Sequence, residues 1–193
     1  MTSSDRKSEI LDVAKRIFAE RGIKNTTVRQ IGTEAGILSG SLYHHFDSKL
    51  DMVDDILGSF CEEVLDCYRG ISESGDSGVE RLQNMVRYAV SLIDQHRASL
   101  VMIQTDSAEL ILDPRFGYLV EFNAEVERHW IEAITDGIRD GSFRSSIDPA
   151  MTYRFTRDAI LGANSWFEPS RGRSLSAVAD ELTRALLHGI TER

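Results

Sequence analysis

The sequence predicts an all-α fold of about nine helices and no sheet. Apolar residues recur at intervals of three and four almost throughout, and no stretch alternates apolar with polar residues under β-branched enrichment. Only three prolines, Pro114, Pro149 and Pro169, interrupt the chain, all in its second half beside turn-forming neighbours. No internal repeat or low-complexity tract is visible.

The first helix is expected from about Ser4 to Gly22 on a stripe of Ile10, Ala14, Ile17 and Phe18, with Arg21 and Gly22 as its stop. Thr26 or Thr27 caps a short second helix whose Val28, Ile31 and Ala35 face inward, and Gly36 supplies the turn. A third helix is expected from about Ser39 to Phe46, with Leu42 and Phe46 one turn apart on its inner side. Asp47 or Ser48 caps a long fourth helix running toward Gly70, with Met52, Val53, Ile56, Leu57, Phe60, Val64 and Leu65 as its stripe. Residues 71–78, ISESGDSG, read as a loop.

A fifth helix follows from about Val79 to Gln95, with Leu82, Met85, Val86, Ala89 and Leu92 inward, and a shorter one from Ala98 to Ser107. Asp113-Pro114 reads as an N-cap with proline at the first helical position, opening a long helix through about Asp140 that ends at Gly141. Asp148-Pro149 repeats the signature for a helix to about Phe167. The last helix, about Leu175 to Gly189, carries Val178, Leu182, Ala185 and Leu186.

A chain of 193 residues with 41% apolar content is long enough for one large or two small domains. No run approaches the roughly 18 apolar residues of a membrane span, and the opening MTSSDRKSEI has no signal-peptide core, so a cytoplasmic location is expected. Cys61 and Cys67 lie about 600° apart around a helix, which suits packing rather than a disulfide or a metal clasp. The net charge is −9, yet residues 1–50 hold eight Lys or Arg against six Asp or Glu, and the remainder holds fourteen against twenty-five. The acidity belongs to the second part, an asymmetry that permits a nucleic-acid-binding head on an acidic body.

The stretch TTVRQIGTEAGILSGSLYHHFDSK, residues 26–49, has the layout of a helix-turn-helix. Such a motif places its second helix in the major groove, which requires small or polar residues on the exposed face, and Ser39, Gly40 and Ser41 meet that need. Thr27 at a helix N-terminus directs a hydroxyl and free N–H groups toward a phosphate, and Arg29, Tyr43, His44 and Lys49 are candidate contacts to phosphates or base edges. A helical hairpin of an unrelated bundle, or a helical adaptor without DNA binding, is the alternative from spacing alone.

The first fifty residues resemble the N-terminal domain of the TetR family of transcriptional regulators. Phe18, Gly22, Thr26, Thr27, Val28, Ile31, Ala35, Gly36, Ile37, Gly40, Leu42, Tyr43, His45, Phe46 and Lys49 fall where that family's motif places them. Gly32 and Leu50 depart from it, standing where alanine and an acidic residue are usual. The resemblance implies an all-helical homodimer that binds a palindromic operator, with a head at residues 1–50 and a ligand-binding and dimerisation domain at 51–193. It further implies repression relieved by a small molecule. GILSGSLYHHF, DPRF at Asp113 to Phe116 and YRFTRD at Tyr153 to Asp158 are similar to the actinobacterial regulators of late steroid-ring (cholesterol) degradation, which implies a coenzyme A thioester of a steroid fragment as inducer. A different hydrophobic inducer, such as a fatty acyl-CoA or a drug, is the alternative.

An acyl-CoA site needs an apolar cavity for the acyl part and cations for the phosphates. Met85, Tyr88, Met102, Phe116, Phe122, Trp130 and Trp166 are candidates for the first, with Gln104, Asn123 and His129 as polar orienting groups. Ordinary core packing is the competing reading for each. Arg154 and Arg157 are the favoured phosphate contacts, followed by Arg128, Arg171 and Arg173, while Glu168 would repel a phosphate. For the dimer interface, Phe155, Ala159, Gly162 and Trp166 recur at spacings of four, three and four, and Val178, Leu182 and Leu186 repeat on the last helix. These stripes would otherwise face their own core.

An enzyme is disfavoured. GILSG is not a nucleophile elbow, no phosphate-loop motif occurs, and no cofactor or metal is expected. The pair His44-His45 with Asp47 makes a poor metal corner, because neighbouring helical residues point about 100° apart.

Overall fold

Helix α1 (Ser3–Arg21) buries Ile10, Ala14, Ile17 and Phe18 along one side, and its end is closed by the Gly22 N–H donating to the Phe18 carbonyl at 2.8 Å. The structure is a computed structural model that describes residues 3–167, 172 and 174–191. The described residues fall into two units: those within Met1–Glu63 and Ala98–Val120, and those within Val64–Arg97 and Glu121–Arg193.

In the first unit, the Thr26 hydroxyl donates to the Gly22 carbonyl at 2.9 Å and Thr27 caps α2 (Val28–Glu34) through a capping box. The Thr27 Oγ1 accepts from the Gln30 N–H at 3.3 Å while the Gln30 Oε1 accepts from the Thr27 N–H at 2.8 Å. That reciprocal pair satisfies two of the amides left open at any helix start. Ile31 is fully buried, Val28 and Ala35 half-buried, and α2 packs against α1 and the helix that follows it. Gly36 turns the chain at φ +65°, a backbone region closed to most side chains.

The third helix, α3, is Ser39–Leu42, four residues rather than the eight expected to Phe46. Beyond Leu42 the amides of His44 and His45 bond three residues back, to Ser41 at 3.3 Å and Leu42 at 2.9 Å, so the chain tightens into turns. The inward pair survives this change: Leu42 and Phe46 are both buried.

Ser48 accepts from the Asp51 N–H at 3.2 Å, and α4 (Lys49–Glu73) buries Met52, Val53, Ile56, Leu57 and Phe60 within this unit. Each such side chain contributes about 1.5–3 kcal/mol on leaving water. The helix α6 (Arg97–Leu110), three residues longer than expected at its C-terminal end, adds Met102 and Leu110. Asp113 caps as predicted, accepting from the Arg115 N–H at 3.0 Å, but it opens a 3-10 turn, Pro114–Phe116. The long helix α7 (Tyr118–Arg139) starts separately after Gly117, which corrects the single helix expected from Pro114.

In the second unit, α4 continues to Glu73, so the loop read over residues 71–78 shrinks to 74–77. Ser77 and Glu80 form a second capping box at the start of α5 (Gly78–Gln95). Helices α8 (Pro149–Trp166, capped by Asp148) and α9 (Leu175–Ile190, capped by Ser174) both pack on α5. A Cβ on Gly78 would lie 2.5 Å from the Gly137 Cα, and one on Gly137 would lie 2.3 Å from the Phe143 ring, so Gly78 is required by the close backbone and Gly137 by the ring packed on it. Phe143 and Thr191 form an isolated antiparallel bridge, and the Arg144 N–H donates to the Ile190 carbonyl at 2.8 Å, tying the end of α9 to the α7–α8 connection. No strand occurs among the described residues.

Candidate nucleic-acid interface and effector surfaces

The head presents its polar candidates as the helix-turn-helix layout requires. Thr27, Arg29, Gly40, Ser41 and His44 are exposed, and Tyr43 is 56% exposed on a short helix whose other side buries Leu42. The side chain of Ser39 lies outside what the structure describes.

Lys49 is placed differently. Its Nζ donates to the Ile23 carbonyl at 2.6 Å and the Thr26 carbonyl at 2.8 Å, and burial lowers its pKa. The ammonium therefore braces the segment joining α1 to α2, and Thr26 and Thr27 depend on it for position. Periodicity gives no signal for such a reach across more than twenty residues. Leu38, which sequence reasoning passed over, stands 81% exposed at the N-cap of α3.

The effector candidates divide between the units. Met102, Gln104 and Phe116 belong to the first: Met102 and Phe116 are fully buried and Gln104 is exposed. Phe116 lines a cavity of about 360 Å³ with Ile23, Lys24, Lys49, Leu50, Leu110 and three acidic side chains.

The remaining candidates belong to the second unit. Met85, Phe122 and Trp130 are buried and Tyr88 is half-buried. Tyr68, buried and absent from the sequence-based candidates, meets Tyr88 edge-on at 5.5 Å and Trp130 at 6.2 Å between ring centroids, and Trp130 meets Tyr153 at 6.1 Å. Burial pushes the Tyr68 phenol well above its ordinary pKa. His129 is buried beside this cluster, its Nδ1 2.9 Å from the Ser72 hydroxyl. Burial, and then the Arg128 charge, hold its pKa below the usual imidazole value.

Arg157 lies 5.5 Å from the Tyr153 ring and pairs with Asp158 at 2.8 Å, which raises its pKa; Arg154 is exposed. Arg128 is engaged by Glu125 and Glu132. Arg171, Arg173, Glu168 and Pro169 lie outside the described residues. Cys61 is buried, its thiol pushed up to about 12 by that burial, and Cys67 is half-buried. Among the described residues no three His, Cys, Asp or Glu side chains gather as a metal site, and no helix is long and apolar enough to cross a membrane.

On α8, Met151 is 42%, Phe155 68% and Trp166 56% exposed, with Ala159 exposed and Gly162 half-buried on the same stripe. Trp166 and Ala159 line a groove of about 710 Å³ with Val178, Leu182 and Ala185 of α9, while Leu186 is half-buried nearby in sequence. Phe116 and Trp166 thus line different cavities.

A capped helix-turn-helix with a small, exposed second helix, carried by a chain that is otherwise helical, defines a DNA-binding regulator. Comparison with known proteins makes the assignment specific. Residues 10–56 match the family described as bacterial regulatory proteins, tetR family, and residues 75–190 match the tetracyclin repressor-like C-terminal domain. The chain belongs to the tetR family of bacterial regulatory proteins. It is 41% identical to the transcriptional repressor KstR2 of Rhodococcus jostii, over 97% of this chain and 92% of that protein. It is 38% identical to KstR2 of Mycobacterium tuberculosis, over 98% and 94%. The solved structure of the ketosteroid transcriptional regulator KstR2 of Mycobacterium tuberculosis superposes with a TM-score of 0.94 at 37% identity, covering 100% of this chain and 98% of that one. The subgroup resemblance carried by GILSGSLYHHF, DPRF and YRFTRD is borne out by these relatives.

Proposed function

We propose that the protein is a dimeric transcriptional repressor that leaves a palindromic operator when it binds a coenzyme A thioester of a steroid catabolite. The observation that carries this reading is similarity to KstR2 repressors along nearly the whole chain, ligand domain included, at 41% and 38% identity. Head similarity alone would support DNA binding and leave the effector open.

In this reading Thr27, Arg29, Ser39, Gly40, Ser41, Tyr43 and His44 contact phosphates and base edges, and Lys49 positions them through the Ile23 and Thr26 carbonyls. The exposed stripe of Phe155, Ala159, Gly162 and Trp166 pairs with its symmetry mate together with Val178, Leu182 and Leu186, giving the duplication that a two-fold operator needs. Within the second unit the aromatic cluster around Trp130 and Tyr88 receives the apolar ring fragment, with Met85 and Phe122 as further candidates, and Arg154 and Arg157 take the phosphates. Ligand and operator compete if ligand favours a state in which the two heads do not match the half-site spacing. A coupling of about 1–3 kcal/mol changes operator affinity about 5–150-fold.

The test is a mobility-shift titration on a duplex selected from a random pool. A steroid-derived acyl-CoA should release the DNA while its free acid does not. Equal effects of the two would reject a role for coenzyme A, release by fatty acyl-CoA alone would move the assignment to a lipid sensor, and failure to select any duplex would overturn the repressor.

A further inference from the structure

Two residues of the reading helix are not accounted for by the protein's own packing. Leu38 is the N-cap of α3, at φ −65° and ψ 139°, and makes no side-chain capping bond. Serine, threonine, aspartate or asparagine at that place would satisfy an open amide, and leucine gives that bond up. The side chain gains no burial in return, remaining 81% exposed, whereas Leu42 one turn on is fully buried. Gly40 is the second case: a Cβ there would meet nothing within 4 Å, so the fold itself does not demand glycine. An apolar projection beside a stretch stripped of bulk suits a partner surface that comes very close to the backbone and carries an apolar group of its own.

Resting on the DNA-reading assignment, we infer that Leu38 determines operator specificity by packing against the C5-methyl group of a thymine in the major groove, with Gly40 allowing the approach. Among base edges in that groove the thymine methyl is the apolar feature, the others being hydrogen-bond donors and acceptors. Leucine carries neither donor nor acceptor and cannot read those. Residues at the N-terminal end of a recognition helix are the ones that meet base edges, which is where Leu38 stands. Tyr43, Ser41 and His44 keep polar roles on the same head.

The experiment uses the full chain and a duplex selected from a random pool, with each thymine of the half-site replaced in turn by deoxyuridine in both half-sites. The replacement deletes one methyl and leaves every hydrogen-bonding group in place. One position should weaken wild-type binding about four-fold per half-site, or about fifteen-fold for both, the value of burying a single methyl group. Leu38→Ala should bind the thymine and uracil duplexes at that position alike. Leu38→Ser, which restores a capping group and guards against a poorly formed helix, should also lose the discrimination. If Leu38→Ala and Leu38→Ser keep the wild-type ratio at every position, or if no thymine methyl matters to the wild type, the inference is overturned while the DNA-reading assignment stands. If no duplex is selected at all, the assignment falls and the inference with it.

Discussion

Replacing Lys49 by methionine keeps the aliphatic stem and deletes the ammonium, which separates two roles for one lysine. In the fold that ammonium donates to the Ile23 and Thr26 carbonyls at 2.6 and 2.8 Å, and burial lowers its pKa. Hydrogen bonds from a charged donor contribute about 1.5–3 kcal/mol each when well shielded. Half-exposure discounts the pair, so the variant should lose about 1–3 kcal/mol in all. For a chain of this size each kcal/mol lowers Tm by about 2–4 °C.

The assay combines thermal unfolding with operator titrations from about 50 to 200 mM salt. A lysine that touches a phosphate contributes about 0.9 to the slope of log affinity against log salt, so losing one from each protomer would flatten the slope by about 1.8. A positioning lysine leaves the slope alone while affinity and Tm fall together. Arg29→Met is the control, because Arg29 is exposed and has no ion pair among the described residues; it should flatten the slope and spare Tm. A flattened slope with unchanged Tm for Lys49→Met would refute the positioning argument.

Four other substitutions have outcomes set by the geometry. Gly137→Ala drives a Cβ to 2.3 Å from the buried Phe143 ring; overpacking of about 1–3 kcal/mol exceeds the helix-propensity gain of about 1 kcal/mol, so urea midpoints should fall. Gly58→Ala in α4 meets nothing within 4 Å and should raise the midpoint, and a Gly137 variant as stable as wild type would count against the close approach. His129, held below its ordinary pKa of 6.5 by burial and Arg128, takes up fewer protons folded than unfolded in the window beneath that value. Stability should therefore drop as pH falls through that window, and His129→Gln should remove this part of the pH dependence in urea titrations. Phe155→Glu, on a side chain 68% exposed, should convert a species of twice the chain mass in light scattering into a monomer; a wild type already monomeric at micromolar concentration would reject the α8–α9 interface.

Much of the head was legible because its signals are local. Thr27, one of the two adjacent threonines offered as the cap, does cap α2, and Leu42 and Phe46 point inward because they are one turn apart. Periodicity placed those side chains correctly even though the amides of His44 and His45 tighten into turns, since the Phe46 N–H still donates to the Leu42 carbonyl four residues back at 3.0 Å and keeps the two one turn apart. The same locality explains the error at Pro114. Asp113 does cap, but Asp-Pro opens a 3-10 turn here and an α-helix at Asp148-Pro149, so the pair marks a helical start without fixing its type. Contacts between distant residues were invisible: the Lys49 bonds and the Phe143 ring over Gly137 carry no spacing signature. Effector residues stayed ambiguous for a different reason. A cavity wall and a core are built from the same side chains, and Met85 or Met102, both fully buried, satisfies either description.

The charge of the head decides how it must recognise its operator. Of the eight cations in residues 1–50, Arg6 pairs with Glu9, Lys7 with Asp55, Arg16 with Glu20 and Glu34, and Lys24 with Glu109, while Lys49 holds backbone carbonyls. Lys15, Arg21 and Arg29 have no ion pair among the described residues. Few cations are therefore available to phosphates without first leaving a partner, and the rest of the chain is strongly acidic. Nonspecific attraction, which depends on phosphate neutralisation, is correspondingly limited. Under the proposed reading, discrimination then comes from base-edge contacts by the exposed face of α3 and from a dimer reading two half-sites. On that account weak electrostatics is an advantage for a switch: a modest coupling to the effector is enough to tip a complex that is held by few contacts in each half-site.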